Sequence, residues 1–172
     1  MILLTTSRRP TATIRAFCRF LEKTIPGLVK VSRGKSSIKD LLDQALQLKA
    51  EKIIIIDRSK GGPSRIECYV TKDGEMSPFA PTFYLGGFRT VKEQRLAPVS
   101  CITFEDSISA EAKKSAEGLA RLFDLNISTG QRNLRIGPAL HVSPYGTKGV
   151  KVFVVTEKGL GKSFITINRT VA

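Results

Sequence analysis

The chain has 172 residues, 41% of them apolar, which suits one domain, or two small halves sharing a sheet, around a sizeable core. Its formal net charge of +13 calls for a polyanionic partner, with nucleic acid ahead of acidic lipid. No run approaches the roughly eighteen apolar residues of a membrane span, and one histidine with no CxxC pair leaves a structural zinc site without ligands.

The opening Met1-Ile2-Leu3-Leu4 meets polar residues too early for a signal peptide, so a soluble, intracellular, cytoplasmic protein is expected (nucleolar if the source is eukaryotic). Cys18, Cys68 and Cys101 are widely spaced among apolar neighbours and read as buried free thiols. The charge is uneven. Residues 1–60 carry thirteen Lys and Arg against five acids, residues 61–100 five against four, and residues 101–172 ten against six.

Ile2 to Thr5 reads as a strand, and Pro10, near the first helical position, pre-sets the helix that follows. Ile14, Phe17, Cys18, Leu21 and Ile25 form one helical stripe, while Arg15, Arg19 and Lys23 line another. A solvated charge stripe is the ordinary reading of the second. Against it, Glu22 is the only acid among eight basic residues between Arg8 and Lys35, so mixed-sign bracing is not available. Pro26-Gly27 ends the helix, and Leu28 to Val31 is a short strand. Ser37 and Asp40 then form a capping box for a helix with Ile38, Leu41, Leu42, Ala45 and Leu46 inward.

Ile53 to Ile56 has the unbroken apolar character of a central strand covered on both faces. Strand, helix, strand, helix, strand implies right-handed crossovers and an α/β sheet. Arg58 to Arg65 reads as a basic turn and Ile66 to Thr71 as a half-exposed strand closed by Asp73-Gly74. Pro78 to Pro81 reads as a connector, and Phe83 to Thr90 as a strand bent at Gly86-Gly87. Residues 91–98 are the expected boundary between halves spanning about 1–90 and 99–172. In the second half, Val99 to Phe104 suits a strand, and Ser107 or Ser109 caps a helix with Ala112, Ala116, Leu119, Ala120 and Phe123 inward. The tail from Ile136 is β-rich, with strands at Ala139–Val142, Val150–Thr156 and Phe164–Arg169.

Two phosphate-loop decoys fail on spacing. Gly34-Lys35-Ser36 has Val29, and Gly161-Lys162-Ser163 has Thr156, where the motif needs its first glycine. Glu105-Asp106 could hold magnesium, but acids before a helix start are equally explained by the helix dipole. His141 has no acid near it in sequence, so no catalytic triad is read.

Thr5-Thr6-Ser7-Arg8-Arg9-Pro10, the helix with Phe17 and Leu21, and Arg33-Gly34 with Ile38-Lys39 resemble the opening of the Brix domain family of ribosome-biogenesis proteins. Ile53 to Ile56, Arg58-Ser59-Lys60-Gly61-Gly62-Pro63, Pro81-Thr82-Phe83-Tyr84 and Gly137-Pro138 resemble its later segments in order, although Ala139-Leu140 stands where the family often has an aromatic. A bare domain without extensions is similar to archaeal members. The resemblance implies a single Brix-type domain over residues 1–172. It further implies an α/β fold of two similar halves sharing a mixed sheet, related to the anticodon-binding domain of some aminoacyl-tRNA synthetases. It implies ribosomal RNA or its precursor as partner, with ribosomal or other assembly proteins as further candidates, and no cofactor or catalysis.

The leading expectation is a non-catalytic ribosomal RNA-binding factor that grips phosphates with a basic amino-terminal face. Helix starts attract anions through unpaired N–H groups and a fractional positive charge. The expected contacts are Thr6, Ser7, Arg8, Arg9, Arg15, Arg19, Arg33, Lys35, Ser36, Arg58 and Lys60. Parallel strands with right-handed crossovers place successive turns at one edge, so these loops should meet. Tyr69, Phe79, Phe83, Tyr84 and Tyr145 are candidates for base stacking, with core packing or plain exposure as the competing reading of each. Two rival functions are a magnesium-dependent RNA-processing enzyme using Glu105 and Asp106, and a protein-binding adaptor whose basic face meets acidic partners.

Overall fold

In the computed structural model, which describes residues 1–90, 97–129 and 137–172, the run Ile53–Ile56 lies within β3 (Lys52–Ser59), all four side chains buried. β3 pairs in parallel with β1 (Ile2–Thr6), and β1 pairs in parallel with β2 (Leu28–Lys30) on its other side. Alternation sends Leu4, Ile54 and Ile56 to one face of the sheet and Leu3, Ile53 and Ile55 to the other. α1 (Ala12–Thr24) covers the first face with Ile14, Phe17, Cys18 and Leu21, and α2 (Ile38–Gln47) covers the second with Leu41 and Ala45.

Two-residue turns follow. Lys60-Gly61 leads into β4 (Gly62–Lys72) and Asp73-Gly74 into β5 (Glu75–Arg89), all four turn residues at positive φ. This mirror-image turn matches the twist of a hairpin. Then come β6 (Cys101–Phe104), α3 (Ala110–Phe123), β7 (Asn126–Thr129), β8 (Ala139–Tyr145), β9 (Gly149–Thr156) and β10 (Gly159–Val171). The strands form one mixed sheet in the order β2-β1-β3-β4-β5-β10-β9-β8-β6-β7.

That order is a five-strand arrangement followed by its mirror. Parallel β1/β2 and β1/β3 pairs recur as β6/β7 and β6/β8, and the two groups join where β5 and β10 run antiparallel. α3 lies on the same face as α1, and their cores merge into one cluster running from Ile2 to Ile167. Gly118 lets α3 approach β5 at this seam: a Cβ there would lie 2.6 Å from Pro81 and 3.0 Å from Phe83. Lys52 of β3 donates to the Arg121 carbonyl of α3 at 2.6 Å and pairs with Asp124, which ties the first group to the second. Of the expected boundary, residues 91–96 lie outside the described residues, as does Ile136 at the head of the tail.

The first helix starts two residues after Pro10, with Thr11 as the N-cap accepting from the Ile14 N–H at 3.3 Å. Three expectations are corrected. Ile38 and Leu46 are 45% and 46% exposed rather than inward, since α2 is seated on the sheet through the Leu41/Ala45 stripe. The basic stretch from Arg58 is almost all strand, with only Lys60-Gly61 turning. Pro78 to Pro81 is not a connector but part of β5. Before Thr82 that strand is paired with β4 alone, and Pro81 falls at a register shift, so the missing proline N–H groups cost no ladder bond. Cys18 and Cys68 are buried free thiols whose pKa values are pushed up to about 12 by burial, whereas Cys101 is only half-buried.

Candidate nucleic-acid interface

β1 lies between β2 and β3 with all three parallel, so the segments leaving their carboxyl ends emerge at one edge, each about 5 Å from its neighbour. Four hydrogen bonds hold them there. Val31 N–H donates to Leu4 C=O at 2.9 Å and Thr5 Oγ1 to Val31 C=O at 3.1 Å, which joins the β2 exit to β1. Ser7 N–H donates to Ile56 C=O at 2.9 Å, and Thr11 Oγ1 to Gly61 C=O at 2.6 Å, which joins the start of α1 to β3 and its turn.

The expected residues divide on this framework. Arg8, Arg9, Lys35, Arg58 and Lys60 are exposed. None of them is in an ion pair among the described residues. Arg9 and Lys60 both stand at positive φ, as turns at this edge require. Arg33 is half-buried: its Nε donates to the Ser36 carbonyl at 3.3 Å and the Ser36 N–H returns to the Arg33 carbonyl at 2.8 Å, so the loop closes on itself around Gly34 at φ +51°. The other guanidinium nitrogens of Arg33 have no hydrogen-bond partner among the described residues and remain to meet an anion. Arg15 is exposed in the first turn of α1 and donates to the Pro10 carbonyl at 2.7 Å, while Arg19 is exposed one turn farther from the edge.

The hydroxyl part of the reading needs correction. Thr6 is only 7% exposed, because β1 runs one residue past the expected Thr5, and it pairs with Ile56. The Ser7 Oγ is enclosed, without a hydrogen-bond partner among the described residues. Neither hydroxyl is presented to a ligand at the surface.

The two helix starts also differ. At α2 the capping box is complete: Asp40 Oδ2 accepts from Ser37 N–H at 2.7 Å and Ser37 Oγ from Asp40 N–H at 3.1 Å. Hydrogen bonding from Ser37, chiefly from its backbone N–H, holds the Asp40 carboxyl below its usual range, so a carboxylate of the chain already occupies that terminus. The first turn of α1 carries no acid and keeps its dipole for an external anion.

The matching edge in the second half has opposite character. There β6 exits into Glu105-Asp106, both exposed, where β1 exits into Arg8-Arg9. No group of three His, Cys, Asp or Glu side chains is placed to hold a metal among the described residues. His141 is buried in β8 with its Nδ1 3.1 Å from Thr103 Oγ1. No described helix is long and apolar enough to cross a membrane.

The stacking candidates separate just as clearly. Phe83 is fully buried, Phe79 packs on the main core beneath Lys52, and Tyr69 packs with the cluster under α2. Tyr84 and Tyr145 lie on the face away from α1 and α3, where Arg169 sits 4.4 Å from the Tyr84 ring centre and Lys151 4.1 Å from that of Tyr145.

The fold of this chain is shared by archaeal proteins of solved structure. The crystal structure of a "probable ribosomal biogenesis protein" from Aeropyrum pernix matches with a TM-score of 0.80 at 22% identity, covering 98% of this chain and 95% of that one. The crystal structure of Mil, an archaeal Imp4-like protein, matches with a TM-score of 0.70 at 20% identity, covering 98% and 97%. No family model matches the chain. In sequence the chain is similar to curated proteins named "probable Brix domain-containing ribosomal biogenesis protein". The one from Aeropyrum pernix is 33% identical over 92 residues, 54% of this chain and 51% of that protein. The one from Thermococcus kodakarensis is 37% identical over 93 residues, 54% and 44%. The matched stretch spans about half the length of these relatives or less. The resemblance to the Brix domain family, drawn first from the opening residues, is thus shown by measured identity to archaeal relatives.

Proposed function

We propose that the chain is a non-catalytic factor of ribosome biogenesis that holds ribosomal RNA or its precursor through phosphates at the edge formed by the exits of β1, β2 and β3. The observation that carries this reading is the convergence of Arg8, Arg9, Arg33, Lys35, Arg58 and Lys60 on one hydrogen-bonded framework with no ion pair among the described residues to neutralise them. A planar guanidinium can take two phosphate oxygens at once, and lysine adds a point charge. Phosphate and shape recognition is the usual mode on RNA, whose base edges are hidden in a deep groove. Ribosomal or other assembly proteins are further partners under this proposal, since the relatives bear ribosomal-biogenesis names.

Crosslinking in cells followed by sequencing of the attached RNA tests the proposal. Enrichment of ribosomal RNA and its precursors supports it; an even scatter over messenger, transfer and ribosomal RNA contradicts it. Labelled RNA incubated with the protein, with and without magnesium and ATP, should stay intact, and product above a blank would move the assignment to an enzyme.

A further inference from the structure

α1 and α3 cover one face of the sheet, and α2 covers β1, β3, β4 and the start of β5 on the other. No described helix packs on that second face over the rest of β5 and over β8, β9 and β10. An antiparallel face with no helix over it ordinarily alternates polar residues with its buried ones. The stretches 82–89, 139–145, 149–156 and 159–171 contain no Asp or Glu, and from residue 137 to the end five Lys and Arg stand against Glu157 alone.

Between the buried Ala139, His141, Val155 and Thr166, that face carries cations and rings in contact. The Arg169 guanidinium lies over Tyr84 across the seam pair, with no ion pair among the described residues. Arg65, opposite Tyr84 on the other flank, is instead bound by Asp57 at 2.6 Å and Glu67 at 3.3 Å. In the second half, the Lys151 ammonium sits between Tyr145 and Phe164, at 4.1 and 4.7 Å from the ring centres, and Phe164 meets Phe153 at 5.8 Å. Tyr145 is 49% exposed, Arg169 is exposed, and Tyr84, Lys151, Phe153 and Phe164 are half-exposed.

Internal cation–ring packing alone would be served equally by a face with acids around it. Rings and a guanidinium plane open to solvent, cations beside them and no acid between them among the described residues together suit a flat, aromatic and polyanionic ligand. Unpaired RNA is such a ligand, because every base has a stacking face and every link a phosphate, whereas a duplex hides its bases. We propose that this face, centred on Tyr84–Arg169 and Lys151–Tyr145–Phe164, binds single-stranded RNA by stacking, as a second contact surface beside the basic loop edge. The inference rests on the RNA-binding reading but uses different residues and a different form of RNA.

The test measures affinity for an oligouridylate and an oligoadenylate of about 12 nucleotides, within the site sizes of stacking platforms, and for a duplex RNA of equal length at the same salt. Tyr84→Ala with Tyr145→Ala should weaken binding of both single strands by about tenfold or more while duplex binding stays within about twofold. Phe164→Leu, which keeps apolar volume, should act in the same direction. The chain has no tryptophan, so Tyr145→Trp gives a single fluorophore at the site, and single-stranded RNA should quench it. Unchanged single-strand affinity with no quenching, or equal losses on single strand and duplex, overturns the inference. The combined substitution of Arg8, Arg9, Arg33 and Lys35 by alanine separates the two surfaces. If it leaves all binding intact while the ring variants lose single strands, the loop-edge reading fails and the stacking face stands.

Discussion

Asp124→Ala should destabilise the protein more than Lys52→Met, although both remove the same ion pair. The Lys52 side chain is 11% exposed and that of Asp124 55% exposed. Without Asp124 the ammonium keeps only the Arg121 carbonyl and the Phe79 ring, 5.2 Å from its centre. Stranding a fully buried charge costs about 3 to 5 kcal/mol, and the half-exposed partner reduces this through solvent screening to about 1 to 3 kcal/mol. Methionine in place of Lys52 keeps the apolar stem and leaves Asp124 to water, at a cost of about 1 kcal/mol or less. Asp124 stands at φ +53°, which alanine tolerates poorly and asparagine well, so Asp124→Asn isolates the charge from the backbone effect. Urea unfolding of the variants gives the order. A Lys52→Met loss equal to or greater than that of Asp124→Ala would refute the view that the cost lies in the buried ammonium.

Gly118→Ala raises intrinsic helix propensity by about 1 kcal/mol, yet it should destabilise by about 1 to 2 kcal/mol net, because overpacking against Pro81 and Phe83 outweighs that gain; thermal melting checks the sign. In a thiol-reagent assay on the native protein, Cys101 should react first, with Cys18 and Cys68 silent until denaturant is added, since burial holds those two protonated up to about pH 12.

What was legible in the sequence is what short-range chemistry determines. The α1 stripe, the Ser37–Asp40 box, the Asp73-Gly74 turn and the central Ile53–Ile56 strand each depend on neighbours within a few residues. Pro78 and Pro81 misled because a proline is tolerated in a strand according to which ladder partners are missing, and that depends on where β10 ends. β7, whose residues are all exposed, left no apolar pattern to read. At the candidate site the convergence of the loops followed from parallel pairing, but the burial of Thr6 and the enclosure of the Ser7 hydroxyl depend on how far β1 runs against β3. Likewise, the Ser37–Asp40 box was visible as a helix cap, and the same carboxylate closes the α2 terminus to phosphate. Which side of the sheet Tyr84 and Tyr145 occupy follows from strand register, which no local pattern carries.

The loop edge itself is tested most directly by the salt dependence of RNA binding. Each neutralised phosphate contributes roughly 0.7 to 0.9 to the slope of log affinity against log salt. Replacing Arg8, Arg9, Arg33 and Lys35 together by alanine should therefore flatten the slope by about 3. Melting behaviour should change little, because these charges are largely exposed and hold no ion pair among the described residues. The control is Lys113→Ala with Lys114→Ala, two exposed cations on α3, scaled per charge removed. A steep parent slope, flattened by the loop set and left nearly intact by the control, is the result expected of a localised phosphate site. Equal losses per charge from both sets would mean that affinity follows bulk charge, and would contradict it.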